Sequence, residues 1–262
     1  MTSAFELADV ANPFEVASEQ QIADVLGEFV HKIGADKKGH SHPCRTDSLG
    51  HATPSGKSEQ ELRVDSHLGF VPLWAPDVTL RWRFQEQSLA IYRNPEAAKA
   101  EIRKLMGEAL DGWQDSIPVK FSEQRDLWDF EVVVRANADC DRSGCVLASA
   151  FFPDAGRHEL VLYPTMFQQP RIEQIETLQH EFGHVFGLRH WFANVAEGSW
   201  PSELFGTDSR FSIMNYGADS TLTDVDRRDL KALYQGVWSG AIKEINGTKV
   251  QLMLPYHSFF KG

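Results

Sequence analysis

Apolar residues recur along this chain with two spacings, and the change between them marks the predicted elements. Thr79–Phe84 alternates polar and apolar positions, as a half-buried strand does. Shorter strands are predicted at residues 119–121, 130–134 and 160–163. The apolar stretch at residues 144–153 predicts one more strand.

Helical spacing of apolar residues predicts three main helices. The first begins with Asn94 as its cap and Pro95 at its first position. The second begins near Pro170. Their apolar stripes are Ala98, Ile102, Leu105, Ala109 and Trp113 in the first helix, and Ile172, Ile175, Leu178, Phe182 and Val185 in the second.

The third helix is predicted from a capping box, in which Thr223 and Asp226 cap each other's backbone. Its apolar positions are Leu230, Leu233 and Tyr234, and Gly236 is its predicted end. The pattern as a whole predicts an α/β (α+β) fold with a twisted mixed sheet and three helices.

The two ends of the chain differ from this middle part. A helix capped by Ser18 and ended by Gly34 is predicted near the N-terminus, where it packs on the main domain or belongs to a propeptide. Residues 35–66 have hardly any aliphatic side chains and predict a mobile loop. A hairpin turned by Asn246-Gly247 is predicted near the C-terminus. We therefore divide the chain into an extension at 1–76, a main domain at 77–236 and a hairpin with its tail at 237–262.

The strongest chemical signal is the run from His180 to His190, which contains three histidines, a glutamate and a glycine. His180 and His184 are four residues apart on a helix, so both rings can reach one ion. Gly187 can take the positive φ that ends a helix, which lets the chain turn and bring back His190 as a third ligand. Three protein ligands leave a fourth position for water, as in a catalytic zinc site. Glu181 lies beside that position without having to bind the ion.

The long histidine motif, followed by Ser212-Ile213-Met214-Asn215-Tyr216-Gly217, resembles the metzincin metallopeptidases. Over residues 77–236 the order of elements is similar to the catalytic domain of matrix metallopeptidases. The resemblance implies a metzincin-type fold, with the active-site cleft between an upper and a smaller lower subdomain. It also implies a zinc endopeptidase in which Glu181 is the general base.

Further site residues follow from the same resemblance. Met214 would form an apolar floor beneath the histidines. Tyr216, as in the astacin and serralysin branches, would stabilise the oxyanion. An edge strand above the cleft would bind the extended substrate by backbone pairing. Its residues would be Val146, Leu147, Ala148, Ser149 and Ala150.

The chain departs from the family pattern at several positions. Trp191, after the third histidine, matches no branch, so the subfamily stays open. Between Val146 and Ile175 the acids and histidines are only Asp154, His158, Glu159 and Glu173. Matrix metallopeptidases have a loop rich in His and Asp before the zinc helix, which holds a structural zinc ion and calcium, and this chain lacks that composition. We therefore expect one catalytic zinc ion and no second obligatory metal, and calcium stays an unsupported alternative.

The three cysteines raise two separate questions. Cys44 lies beside a proline and an arginine, as the latency cysteine of matrix metallopeptidases does, but in a different order. It is a candidate switch, or else a surface thiol. Cys140 and Cys145 flank a short turn, so they form a disulfide in an oxidising compartment or stay reduced in the cytosol.

Composition narrows the function classes. With 37 acidic against 26 basic residues, the formal charge is −11, which argues against nucleic acid and anionic membranes as partners. No apolar run is long enough for a membrane span. Residues 1–10 have neither the basic nor the apolar region of a secretory signal. The location therefore stays open between the cytoplasm, a non-classical export route and a sequence given without its signal. We expect a monomer that acts on proteins or peptides. The alternative is a non-catalytic zinc protein whose cleft binds a peptide or partner, and Glu181 argues against it.

Overall fold

A computed structural model of the protein describes residues 12–18, 62–65, 69–140, 144–190, 202–205, 212–214 and 220–260. Its strands are β1 (Leu62–Asp65), β2 (Val71–Trp74), β3 (Thr79–Phe84), β4 (Lys120–Glu123), β5 (Phe130–Val134), β6 (Asp139–Cys140), β7 (Cys145–Val146), β8 (Ala148–Ser149), β9 (His158–Leu162), β10 (Leu188–Arg189), β11 (Ser202–Phe205), β12 (Glu244–Ile245) and β13 (Thr248–Met253). Its helices are α1 (Glu86–Leu89), α2 (Pro95–Trp113), α3 (Arg171–Val185) and α4 (Asp224–Trp238). The mixed α/β class predicted from the sequence is confirmed.

The central sheet has five strands in the order β4-β3-β5-β9-β8. The first four are parallel, and β8 is antiparallel to β9 at the end of the sheet. In β3 the apolar positions Leu80, Trp82 and Phe84 are buried and the positions between them are half-buried, as the alternation predicts.

Two long helices pack together beside this sheet. In α2, Asn94 Oδ1 accepts a hydrogen bond from the Ala97 N–H at 3.1 Å, and the whole predicted stripe is buried. In α3 the stripe is buried from Leu178 onward, but Ile172 is 60% exposed, so its predicted burial is wrong. Ile172 is exposed because of the position of its neighbour Arg171. Arg171 faces α2 and pairs there with Glu101 and Glu108, and the next position is rotated about 100° toward solvent.

The third long helix, α4, begins as predicted but ends later. Thr223 and Asp226 form the capping box, with both of its hydrogen bonds present. The predicted end at Gly236 is wrong, because α4 continues to Trp238 and Gly240 takes the positive φ of +76°. Gly236 serves packing instead, since Ile242 occupies the space that a β-carbon there would need.

The C-terminal hairpin is confirmed. Asn246 and Gly247 both have positive φ, +49° and +87°, between β12 and β13. Beyond the hairpin, β13 pairs in parallel with β2. The tail is fixed again at His257, whose N–H donates to the buried Asp129 carboxylate at 2.8 Å.

The N-terminal extension contains two strands that the sequence analysis missed, β1 and β2. Residues 62–65, at the end of the predicted loop 35–66, form β1, which lies between β10 and β11 in a three-stranded antiparallel sheet. The alternation Leu62-Arg63-Val64-Asp65 is the signal that was overlooked. The helix predicted between Ser18 and Gly34 lies outside the described residues except for Ser18.

A short N-terminal segment, residues 12–18, also contacts the domain. The Ala17 N–H donates to the Ile91 carbonyl at 2.9 Å, and the Arg93 N–H donates to the Glu15 carbonyl at 2.8 Å. Phe14 stacks on Phe167 with ring centroids 3.7 Å apart. None of the described helices combines the length and apolar composition that a membrane span requires. The division at residues 77 and 236 stays a prediction.

Candidate metal centre

Three histidine side chains meet at the C-terminal end of α3. His180 and His184 lie one turn apart on the helix, and His190 directly follows β10. The Nε2 atom of His180 is 2.8 Å from that of His190 and 3.2 Å from that of His184. Within the described part of the chain, this is the one group of three or more potential ligands close enough to hold an ion.

Two of these rings are oriented by backbone carbonyls. His180 Nδ1 lies 2.7 Å from the Ile213 carbonyl oxygen, and His184 Nδ1 lies 2.8 Å from the Leu188 carbonyl oxygen. A carbonyl can only accept, so each Nδ1 carries the hydrogen in the neutral ring and each Nε2 is left with a lone pair. This is the arrangement that prepares a histidine to bind a metal.

The Nε2 positions fit a zinc ion. Lone pairs on His180 and His184 face each other at 3.2 Å, which is unfavourable unless a cation or proton lies between them. Tetrahedral ligands at the usual zinc–nitrogen distance would be about 3.3 Å apart, which agrees with the separation between His180 and His184. The 2.8 Å between His180 and His190 is about 0.5 Å shorter, so these two rings would have to move apart slightly to bind the ion. His184 and His190 are fully buried and His180 is 8% exposed, so the three rings are fixed by their surroundings.

Gly187 makes the turn that brings back the third histidine. Its φ is +89°, as predicted, and its N–H donates to the His184 carbonyl at 2.8 Å. A β-carbon at this position would lie 3.0 Å from a Leu73 methyl group and 3.4 Å from the Pro72 carbonyl oxygen. Both the backbone conformation and the close approach of β2 therefore require glycine.

The turn that contains Met214 lies directly against α3. Met214 is 1% exposed, and its sulfur occupies the space that a β-carbon at Gly183 would need. Ser212 Oγ accepts from the Met214 N–H at 3.1 Å and donates to Asp226 at 2.6 Å. Asp226 thus joins this turn to the N-terminus of α4. Sequence analysis identified Asp226 only as a helix cap.

The last turn of α3 is held by two aromatic side chains that sequence analysis did not assign to the site. The Trp74 indole N–H donates to the Val185 carbonyl at 2.7 Å. The Tyr234 hydroxyl donates to the Phe186 carbonyl at 3.1 Å and accepts from the Trp74 N–H at 3.3 Å. Burial raises the pKa of the Tyr234 hydroxyl, so it stays a donor. These bonds satisfy carbonyls that the end of a helix leaves open.

Glu181 is 2% exposed and follows His180 on the buried side of α3. Its predicted role as general base stays a proposal. Tyr216, Cys44 and Trp191, which the sequence analysis also singled out, lie outside the described residues.

The predicted edge strand is present in two pieces. Ala148 and Ser149 form β8 at the end of the central sheet, whereas Val146 belongs to β7 and pairs with β6. The single strand predicted for residues 146–150 is therefore wrong in its continuity. The break falls at Leu147, whose carbonyl accepts from the Tyr163 N–H at 2.9 Å, and Ala150 follows β8. Phe152, two residues further on, contacts the ring of His184 with centroids 5.4 Å apart, so this segment borders the histidines.

Comparison with known proteins agrees with this geometry. The matrixin family model matches residues 73–196, a range that contains α2, the central sheet, α3 and all three histidines. Residues 73–196, a little under half of the chain, are therefore similar to the matrixins. The chain is similar to stromelysin-3 of Homo sapiens, with 30% identity over 128 residues that cover 44% of this chain and 26% of that protein. Stromelysin-3 of Xenopus laevis is 30% identical over 122 residues, which cover 42% of this chain and 26% of that protein.

Two solved structures are also similar to the chain. Myroilysin has a TM-score of 0.41 and 12% identity, covering 62% of this chain and 95% of that one. High choriolytic enzyme 1, a hatching enzyme zinc-protease from Oryzias latipes, has a TM-score of 0.39 and 14% identity. That match covers 62% of this chain and 94% of that one. The chain spans about a quarter of the length of the curated relatives it matches.

Between β7 and α3, Asp154 and Glu159 have partners within the protein, whereas the buried Nε2 of His158 has no hydrogen-bond partner among the described residues. Asp154 Oδ1 accepts from the Gly156 N–H at 2.6 Å, and Glu159 pairs with Arg135 at 3.2 Å. His158 stacks on Phe151 with ring centroids 4.4 Å apart. The number of bound ions stays a prediction.

Residues 73–196 also contain a disulfide between Cys140 and Cys145. It joins β6 to β7, which pair at these two residues. Of the two states that the sequence left open, the structure has the oxidised one.

Proposed function

We propose that this protein is a zinc-dependent endopeptidase. The observation that carries the proposal is the pair of carbonyl-anchored histidines. His180 and His184 are held with their Nε2 lone pairs directed toward each other, and His190 completes the group. The matrixin match supports the same activity.

His180, His184 and His190 would hold the zinc ion. When bound, zinc would lower the pKa of a water molecule in the open position and polarise a peptide carbonyl. Glu181 is the proposed base that takes a proton from the attacking water. The same carboxyl group would then give that proton to the leaving amine. Tyr216 is the proposed donor to the developing oxyanion.

The proposed substrates are proteins or peptides in an extended conformation. Strand β8 ends the central sheet, and Phe152, three residues beyond it, contacts the ring of His184. The backbone groups of β8 are therefore the proposed pairing partners of a substrate strand. We propose that the protein acts as a monomer with one zinc ion. A non-catalytic zinc protein has no need of a buried carboxylate beside its ligands, and Glu181 therefore favours an enzyme.

Cleavage of denatured casein by the full chain tests this proposal. We expect cleavage that a zinc chelator abolishes and that added zinc restores. The full chain is required, because a truncation at residue 77 would remove β2 and with it Trp74, which binds the end of α3. Zinc bound by a folded protein that cleaves neither casein nor a peptide library would contradict the endopeptidase and favour the binding protein.

A further inference from the structure

The N-terminal extension contributes a strand to the part of the chain that contains the third histidine. In the sheet β10-β1-β11, Arg63 lies opposite Arg189 and Val64 lies opposite Leu188. Strand β10 consists of those two residues only, and His190 follows it without a spacer. Among the described residues, β1 is the only strand that pairs with β10.

Strand β10 also orients a second histidine. The Leu188 carbonyl is the one that anchors His184 Nδ1 at 2.8 Å. Leu188 and Arg189 are both fully buried. Two residues cannot keep a strand conformation by themselves, because a strand gains its backbone hydrogen bonds only from its neighbours. Among the described strands, the backbone that places His190 and anchors His184 has its pairing partner in β1 alone.

The other side of β1 pairs with β11, where residues 62–65 lie opposite residues 205–202. Strand β11 belongs to the stretch between His190 and Met214, the two parts of the site that follow α3. Strand β1 thus lies between β10, which precedes the third histidine, and β11, which precedes the methionine turn.

We infer that β1 is a positioning element of the metal site. Its backbone holds β10 in the conformation that presents His190 and the anchor of His184. This inference rests on the proposed function, because it assumes that the three histidines bind the ion. It also changes the interpretation of residues 1–76. The part that contains β1 belongs to the working protein, so latency through Cys44 would have to operate without removal of residues 62–65.

Proline substitutions in β1 test the inference in the full chain. Successive N–H groups of a strand point to opposite neighbours, so one of Arg63→Pro and Val64→Pro loses a bond to β10 and the other a bond to β11. Arg63→Ala and Val64→Ala keep the N–H and separate side-chain effects from backbone effects. Ser122→Pro, in β4 at the far end of the central sheet, controls for the general cost of proline in a strand.

The readouts are zinc affinity, from competition with a chelator, and the visible spectrum of the cobalt-substituted protein, which reports the ligand set. We expect the proline that faces β10 to weaken zinc binding about 10- to 100-fold, the usual effect of losing a group that orients a ligand. Its cobalt spectrum should shift toward that of His190→Ala, whereas Ser122→Pro should lower the unfolding temperature and keep the wild-type spectrum. Wild-type spectra and affinities in both β1 proline variants would overturn the inference alone. A wild-type protein that binds no cobalt would overturn the proposed function and the inference together.

Hydrogen exchange on the unaltered chain tests the inference even if both proline variants fail to fold. If β1 positions the ligands, binding of the ion must in turn stabilise β1, because coupling between two sites is reciprocal. We expect added zinc to slow exchange at least tenfold in a peptide that contains residues 62–65. Exchange in that peptide at the same rate with and without zinc would overturn the inference.

Discussion

The sulfur of Met214 occupies the space that a β-carbon at residue 183 would need, so the glycine inside the histidine motif is matched to the methionine turn. Gly183 lies within α3, where glycine costs about 1 kcal/mol relative to alanine. Glycine is nevertheless required at this position, because the methionine turn leaves no room for a β-carbon. Contact between the two segments then places the Ile213 carbonyl against His180.

Gly183→Ala should therefore destabilise the protein, although alanine is the better helix former. We expect a loss of about 1–3 kcal/mol from overpacking against Met214. In a Met214→Ala background the same change should become neutral or stabilise by up to about 1 kcal/mol, because the obstructing sulfur is gone. Urea unfolding of the four proteins in this cycle measures the effect. The same destabilisation by Gly183→Ala in both backgrounds would show that Met214 is not its cause.

Asp226 should matter more than a helix cap does. Its buried carboxylate accepts from Ser212 at 2.6 Å and from the backbone N–H and the hydroxyl of Thr223 at 2.9 and 2.7 Å. Asp226→Ala would leave these donors without their acceptor, at about 3 kcal/mol of unfolding free energy. Thr223→Ala removes the cap and the hydroxyl donor to Asp226 but keeps the bond between Asp226 and Ser212, and we expect it to cost about 1 kcal/mol.

The two variants should also differ in metal binding. Because Ser212 joins Asp226 to the methionine turn, Asp226→Ala should weaken zinc binding about tenfold, while Thr223→Ala should leave it nearly unchanged. Equal zinc affinities for the two variants would show that Asp226 acts on the stability of α4 alone.

The stability of the protein should depend on pH through His158, which is not one of the three proposed metal ligands. Burial lowers the pKa of His158 below its ordinary value of 6.5, against the opposing charges of Asp154 and Asp129. The folded state thus favours the neutral ring. The stabilisation from this group is present above pH 6.5, the unfolded value, and is lost as the pH falls through the lower folded value.

We expect His158→Phe to remove this component while keeping the stack on Phe151. Urea unfolding with a chelator present, at several values between pH 7.5 and 5, should give a shallower loss of stability below pH 6.5 for the variant than for the wild type. Parallel curves would mean that the pKa of His158 is not lowered by folding.

Local patterns predicted the parts of the molecule that depend on neighbours in sequence. The stripes of α2 and α4, both caps, the Asn246-Gly247 turn and the spacing of the three histidines all follow from periods of two to four residues or from turn chemistry. Two positions were misassigned because tertiary contacts override the local pattern. Arg171 pairs with Glu101, which turns Ile172 toward solvent, and Ile242 packs against Gly236 inside the helix.

The supports of the site could not be predicted in this way, because they join distant parts of the chain. Trp74 and Val185 are 111 residues apart, and Trp74 and Tyr234 are 160 residues apart. The carbonyls of Ile213 and Leu188 are invisible to any residue pattern, since every residue has one. Strand β1 was hard to predict because it has only four residues and because its two partner strands are distant in the sequence.

Tyr216 is expected to assist the reaction without being essential to it. Loss of one oxyanion donor costs about 3 kcal/mol in the transition state, so Tyr216→Phe should lower kcat about 100-fold and leave zinc affinity unchanged. Steady-state cleavage of a peptide, with zinc content measured on the same samples, checks both parts. A kcat equal to that of the wild type would remove Tyr216 from the site and leave it a packing role.

The most direct test of the central claim is the activity of Glu181→Gln at full zinc occupancy. Gln keeps the size of the side chain but cannot take a proton, and Glu181 is not among the three ligands. We expect one zinc ion per chain in both proteins, and cleavage of casein by the wild type at least 1,000-fold faster than by the variant, in line with the contribution of a general base. Comparable cleavage by the zinc-loaded variant would contradict the mechanism.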